Sequence, residues 1–319
     1  MVQNTNPSFL WQTVRKALPK LPASLATING ATSFENKVQV LRHTFFTDNG
    51  SSLQHQHSDS LAGFHTVTQG KVLKALEAIL PNLTPGHDTL PPSVWIRLHK
   101  IRPNTLTNMT DWLLCSPTLS IILQLVLTMV IPKLGKPDYL LTKAYRIISL
   151  LPTLSKTIEH VALARMTVFA ANCLLPLQFT CRKGYSPLDA MHLILENVYK
   201  VSNDKLYSSA LFLNIQGAFA KVLHQWLPEI MTNNNFPPYL VDWVQSFLSD
   251  RSVRITDSVA SKPYFIPIQV GIPQGSPLSL FLFNIYSSLL CHNYQRLGVE
   301  LMLSYVNNYC RLAILVLWQ

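Results

Sequence analysis

Charged side chains are scarce in this chain of 319 residues: Asp, Glu, Lys and Arg together make up 13%, against roughly 25% in an ordinary soluble domain. The shortage is lopsided, because 16 acidic residues face 26 basic ones and leave a formal net charge of +10. Little charge beside 48% hydrophobic residues excludes disorder as the main state, which needs the reverse balance. Glycine is sparse too, at 11 residues, which excludes a collagen-like chain, and no heptad pattern runs on into a coiled coil. The 5 cysteines, Cys115, Cys173, Cys181, Cys291 and Cys310, are odd in number and widely spaced with no CxxC pair. They imply neither zinc nor a disulfide framework, and a reducing compartment is expected. Trp11, Arg15 and Lys16 interrupt the stretch where a signal peptide would need an unbroken apolar core, so no targeting segment is expected.

Two explanations of the charge deficit remain: a membrane protein, or a soluble protein that has lost charges. Trp112 to Pro132 is a run of 21 residues without a charge, long enough to span a bilayer. Pro117, Gln124 and several hydroxyl residues break its apolar content, and Pro132 closes it. A second uncharged run, Pro263 to Gln295, contains Pro267, Pro273 and Pro277, and such breakers at membrane depth need special burial. The membrane explanation is the weaker one.

Charge is unevenly spread. Residues 1–130 carry 10 basic and 6 acidic residues, 131–200 carry 9 and 4, and 201–319 carry 7 and 6. The densest positive stretch is therefore Lys133 to Lys200, a footprint suited to a phosphate backbone and also common on any solvated surface. Downstream, Ser208 to Ile215 reads as a buried strand. A helix is expected over Phe219 to Met231, with Pro228 inside it at a cost of ~3 kcal/mol, and a second from Pro238 with Leu240, Val241, Val244, Phe247 and Leu248 on one face. Val253 to Ile255 and Tyr264 to Val270 read as paired strands, followed by a turn at Gly271–Gly275 and a helix from about Pro277 to Tyr294. Leu301 to Tyr305 and Cys310 to Leu317 flank a hairpin turn. This order fits an α+β layered domain.

The motifs in this stretch, taken in order, resemble the reverse transcriptases of non-LTR (LINE-type, jockey-like) retrotransposons. Lys133-Leu134-Gly135-Lys136-Pro137 is similar to the family's KPGKP, and Tyr145-Arg146-Ile147-Ile148-Ser149-Leu150 to its YRPISL. Gln178-Phe179 to Gly184 resembles QFGFRPG, and Phe212 to Ala220 resembles FLDVKGAFD. Gly271 to Ser279 reads GIPQGSPLS, Tyr305 to Asn308 stands where the family has YVDD, and Thr84 to Asp88 is similar to its APGPD turn. The resemblance covers about residues 65–315. It implies a right-hand polymerase: an N-terminal remnant or linker over 1–64, fingers over 65–200, and a palm over 201–319 whose antiparallel sheet is backed by helices. The palm is expected to be truncated after the YVNN hairpin, with the thumb missing. The resemblance further implies an RNA template and a DNA primer as partners, Mg²⁺ as cofactor, no membrane, and an intracellular place, nuclear or cytoplasmic.

Nucleotidyl transfer in this family uses two divalent ions, one at the primer hydroxyl and one at the leaving pyrophosphate. Mg²⁺ prefers hard anionic oxygens, which the family supplies as Asp. Here the matching catalytic positions are Asn214, Asn307 and Asn308, and the family's metal site falls at Asn214, Ile215 and Asn307. An amide oxygen carries no charge, so the expected consequence is a chain that binds Mg²⁺ unproductively and does not polymerise. By resemblance Lys136 and Arg146 face the incoming triphosphate, Phe219 stands where a ribose 2′-hydroxyl is blocked, and Gln274 and Gly275 border nucleotide and template. Phe219 reads equally well as a core residue, and Lys136 as a solvated loop lysine.

Ile147, Leu134 and Leu280 stand where the family has Pro, Thr180 where it has Gly, and Ala220 where it has a second Asp. The three Asp-to-Asn changes and the Pro-to-Leu changes each need a single transition in the codon, which suggests a silenced, decaying copy; Ala220 does not fit. His55, His57 and His65 with Asp59 read as a polar loop rather than a metal cluster, and Asp88, Asp189 and Glu196 form no replacement triad. The alternative function is a non-catalytic RNA- or DNA-binding protein that keeps the polymerase fold.

Overall fold

The computed structural model of the chain describes residues 27–46, 61–296 and 300–318, apart from 82, 117–120, 180–183, 206, 216, 256–262 and 307–308. The first helix, α1 (Phe34–Phe45), starts at Ser33, whose side chain accepts from the Asn36 N–H at 3.3 Å. Glu35 in its first turn and Arg42 and His43 in its last match the sign of the helix dipole at each end. Next come α2 (Gln69–Glu77), α3 (Pro92–Ile101) and α4 (Pro103–Cys115). The last two open on proline, which loses no hydrogen bond in a first turn.

A single helical turn, Ile121–Gln124, leads straight into β1 (Leu125–Pro132). The uncharged run long enough to span a bilayer is therefore divided between the end of α4, this turn and a strand. Val126, Val130 and Ile131 suit a pleated strand better than a helix. Among the described residues no helix is long and apolar enough to cross a membrane.

β2 (Tyr145–Leu150) pairs antiparallel with β1, placing Arg146 opposite Ile131. α5 (Thr153–Met166) and α6 (Pro187–Asn203) follow. α6 starts at a capping box in which Ser186 and Asp189 each bond the other's backbone N–H, so Asp189 serves the helix end. Then come β3 (Tyr207–Ile215), α7 (Trp226–Asn233) and α8 (Pro238–Leu248). β4 (Arg251–Ile255), β5 (Tyr264–Ile268), α9 (Ser279–Arg296), β6 (Glu300–Val306) and β7 (Tyr309–Trp318) complete the chain.

These strands form two sheets, one of order β2-β1-β4-β5 and one of order β3-β7-β6. In the first, β4 runs parallel to β1 and antiparallel to β5. The second is antiparallel throughout, and α6 packs on β3 and β6 while α9 packs on β6. The α+β class is thus as expected, and the four-stranded sheet draws strands from both sides of residue 200. β1 and β2 precede it, β4 and β5 follow it, and one sheet holds all four because parallel pairing to β1 needs a long crossover. The main core lies among the helices, around Leu76, Leu114, Ile158, Trp243, Phe247 and Leu282. Trp243 stacks on Phe247 at 5.5 Å between ring centroids and donates its indole N–H to the Leu113 carbonyl at 3.2 Å.

The expected helix over Phe219 to Met231 is corrected. Residues 217–221 form a turn, Leu223 makes an isolated bridge to Val270, and the helix begins only at Trp226. Pro228 therefore sits in the first turn, where its missing N–H has no partner to lose, and the ~3 kcal/mol interior cost does not apply.

Candidate functional site

A cleft of about 370 Å³ opens where the four-stranded sheet meets the end of β3 and the turns at 217–221 and 270–274. β2 supplies Tyr145, Arg146, Ile147 and Ser149, β3 supplies Ile215, and the end of α1 supplies Thr44, Phe45 and Phe46. Among the described residues five cations line it, Lys133, Lys143, Arg146, Lys221 and Arg251, and no carboxylate does. A concave wall of one sign focuses its field into the cleft and favours anions.

The turn 270–276 is held from three sides. The Ser149 N–H donates to the Gln274 carbonyl at 2.8 Å, the Gly271 N–H to the Val222 carbonyl at 2.8 Å, and the Ile272 N–H to the Phe219 carbonyl at 2.9 Å. His224 Nε2 contacts the Gly271 carbonyl at 2.6 Å. Two glycines make this approach possible. A Cβ on Gly275 (φ +134°) would lie 2.3 Å from the Ser149 carbonyl oxygen, and one on Gly271 (φ +92°) would lie 2.9 Å from that of Ala220. Any side chain there collides with backbone that has nowhere to go.

Of the residues expected from the sequence, Arg146, Phe219, Gln274 and Ile215 line this cleft. Gly275 is the contact point between the turn and β2. Phe219 is half-buried and packs on Phe283 of α9 at 5.4 Å between centroids. Lys136 does not line the cleft: it is exposed on the loop after β1. Lys133 and Lys143, at the two ends of that loop, line the cleft instead, and Lys133 Nζ donates to the Lys143 carbonyl at 2.9 Å. A loop tip extends into solvent, whereas its ends are fixed by the flanking strands.

The sequence reading also missed Lys221 and Arg251. Arg251 follows a turn and reads as a solvated residue, yet only 1% of its surface is exposed. Its place was readable from alternation, because Arg251, Val253 and Ile255 are all buried on one face of β4. Its guanidinium lies 4.5 Å from the Phe247 ring centroid and donates through Nη1 to the Phe247 carbonyl at 2.7 Å. Burial draws its pKa down to about 10, against the supporting charge of Glu159.

At the sheet end, Asn214 pairs with Arg311 and Ile215 with Cys310, which also pairs with Tyr305. Val306 opposite Tyr309 closes the β6–β7 pairing one step further on. The strand bearing Asn214 thus ends beside the tip of this hairpin. Asn307 and Asn308 lie outside the described residues. So do His55, His57 and Asp59, while His65 is exposed and its carbonyl accepts from Arg165. Asp88 Oδ1 accepts from the Leu90 N–H at 3.4 Å, a turn-forming role. The donor chemistry does not fit the divalent ions that the resemblance implies, since neutral amides replace carboxylates at the three family positions. Among the described residues no group of three or more His, Cys, Asp or Glu could hold a metal ion.

Residues 131–306, just over half of the chain, match the family model of the reverse transcriptases (RNA-dependent DNA polymerases). A probable RNA-directed DNA polymerase from transposon BS of Drosophila melanogaster is 33% identical over 52% of this chain and 18% of its own length. The RNA-directed DNA polymerase from the mobile element jockey of the same species is 31% identical over 46% of this chain and 16% of its own. The chain thus spans about a fifth of the length of the curated relatives it matches. A solved structure of apo telomerase from Candida tropicalis, truncated from its C-terminal domain, is 12% identical with a TM-score of 0.47, over 71% of this chain and 49% of that one. Both the matched stretch and the basic cleft around its GIPQG turn lead to one conclusion: the chain belongs to the reverse transcriptase family, among the jockey-like, non-LTR transposon polymerases.

Proposed function

We propose that this chain is the fingers and palm of a non-LTR retrotransposon reverse transcriptase that keeps its nucleic-acid cleft and has lost the chemical step. The observation that carries this reading is the contrast between a cleft lined by five cations and an amide, Asn214, at the strand end where the family has a carboxylate. Arg146 offers a planar fork for a triphosphate, while Lys133, Lys143 and Lys221 act as point charges along a nucleic-acid backbone. Among the described residues nothing comparable remains to hold a pair of dications beside that triphosphate, because three negative charges have been exchanged for dipoles. Losing charge stabilisation worth several kcal/mol lowers a rate by on the order of 10³-fold or more.

Primer extension on an RNA template with a DNA primer, in Mg²⁺ or Mn²⁺, tests the reading. No extension is expected, and clear extension overturns it. A second reading, a non-catalytic RNA- or DNA-binding protein on a polymerase fold, is favoured by the same five cations. It expects salt-sensitive binding and no polymerase even when carboxylates are put back at 214, 307 and 308. Either reading places the chain inside the cell, where its templates are.

A further inference from the structure

Below the cleft wall, buried polar side chains from three parts of the chain converge on Glu159 of α5. Only 1% of its surface is exposed. Its Oε1 accepts from Ser155 Oγ at 2.7 Å, and its Oε2 accepts from Ser276 Oγ. The Ser276 hydroxyl also accepts the Leu278 N–H at 3.0 Å, so it joins the end of the GIPQGS turn to the approach of α9. Arg251, equally buried, interacts favourably with Glu159 through space, although its hydrogen bond goes to Phe247. Lys156, one turn earlier on α5, adds a second supporting charge.

Taking a carboxylate out of water is costly unless its oxygens are bonded and its charge is balanced. Both oxygens are bonded here by serine hydroxyls, although burial still pushes the Glu159 carboxyl above its ordinary range, and the geometry these bonds impose falls on the turn. Glu159 does not line the cleft; its hydrogen bond to Ser276, two residues beyond Gln274, ties it to the cleft wall, and its neighbour Arg251 lines the cleft. The other anchors of the turn act on Gly271, Ile272 and Gln274 and on Pro273, whose carbonyl accepts from Ser279 Oγ at 2.8 Å, while the Ser276 side chain ties the C-terminal end to α5.

We infer that Glu159 is a positioning residue: bonded to Ser276, it fixes the C-terminal end of the 271–276 turn from below and so sets where Gln274 stands in the cleft. The inference rests on the reading of this cleft as a nucleotide and nucleic-acid site.

The test is a double-mutant cycle of E159Q, S276A and the pair, read by amide hydrogen exchange and by the affinity of a fluorescent RNA–DNA primer–template. Each single variant is expected to speed exchange of the 271–276 backbone and of the Ser149 amide by on the order of tenfold, the factor for losing one buried hydrogen bond. The pair is expected to exchange no faster than the single variants, because both remove the same link. Primer–template affinity is expected to fall in the same rank order. S276T, which keeps the hydroxyl, is expected to restore protection, and this arm decides the matter if E159Q does not fold. Additive effects in the pair, or loss of protection spread equally over α8 and α9, would overturn the inference. If the parent chain binds no primer–template, the reading of the cleft fails, while the exchange cycle still decides whether Glu159 anchors the turn.

Discussion

The cleft wall and the end of β3 lie side by side and have kept different things. In the wall, the features that depend on backbone geometry are complete: the 271–276 turn closes on Ser149, Val222 and Phe219, and two glycines stand where no other residue fits. At the strand end, the register is equally complete, with Asn214 opposite Arg311 and Ile215 opposite Cys310, yet the side chain that does chemistry in the family is an amide. Backbone packing constrains residues through sterics, so a change there costs stability. An Asp-to-Asn exchange at a strand end is nearly isosteric and leaves packing alone, so sterics hold the wall but do not hold the residue type at that position.

The largest effect is expected where this contrast is reversed. Restoring the carboxylates in N214D/N307D/N308D is expected to raise primer extension by on the order of 10³-fold or more over the parent chain, measured at matched protein concentration with Mg²⁺. A restored variant no faster than the parent would mean that the surviving wall is not a polymerase cleft.

Damage to the wall itself comes next. G275A, with its Cβ aimed at the Ser149 carbonyl oxygen from 2.3 Å, is expected to destabilise the fold by about 3 kcal/mol or more, read from urea midpoints. A shift within about 0.5 kcal/mol would show that the turn gives way easily.

A smaller effect separates the cleft from its surroundings. K221A removes a cation that lines the cleft and is expected to flatten the log–log salt dependence of nucleic-acid binding by roughly 0.7 to 0.9. K136A, on the exposed loop, is expected to leave the slope unchanged. The opposite ranking would move the nucleic-acid path onto the loop.

The mildest effect is a pH dependence of the wall. Burial lowers the pKa of His224, against the bond to Gly271, and His160 is lowered by burial as well. For a histidine held neutral, the unfolded chain binds more protons below pH 6.5, so stability is full above that value and is lost as pH falls toward the folded pKa. Each unit of depression is worth about 1.4 kcal/mol. Urea midpoints at pH 7.5 and 5.5 are expected to differ less in H224Q than in the parent, leaving the part due to His160. An unchanged pH dependence in H224Q would remove His224 from the account.

Much of the C-terminal half was readable because its periods are clean. The apolar run 208–215, the apolar face from Pro238 and the alternating strands around 251–268 each became the expected element. Trp112 to Pro132 was not readable, since an uncharged run says how much is buried and not in what shape. Pro228 misled for a related reason: helix propensity does not announce that the chain first makes a turn and an isolated bridge to Val270. Among site residues, Arg146, Phe219, Gln274 and Gly275 carried motif signals, whereas Lys143, Lys221 and Glu159 carried none.

The sequence by itself determined the family and the loss of acid, because both are statements about residue identity in a fixed order. Its charge deficit is in part the three Asn at family Asp positions and the Ala at a fourth. Only the tertiary structure decided which cations face one another, since Lys133, Lys143, Arg146, Lys221 and Arg251 lie up to 118 positions apart (251 − 133) and share no local pattern. A long crossover that lays β4 beside β1 brings them together, and it buries a glutamate and an arginine that residue type alone would have left in solvent.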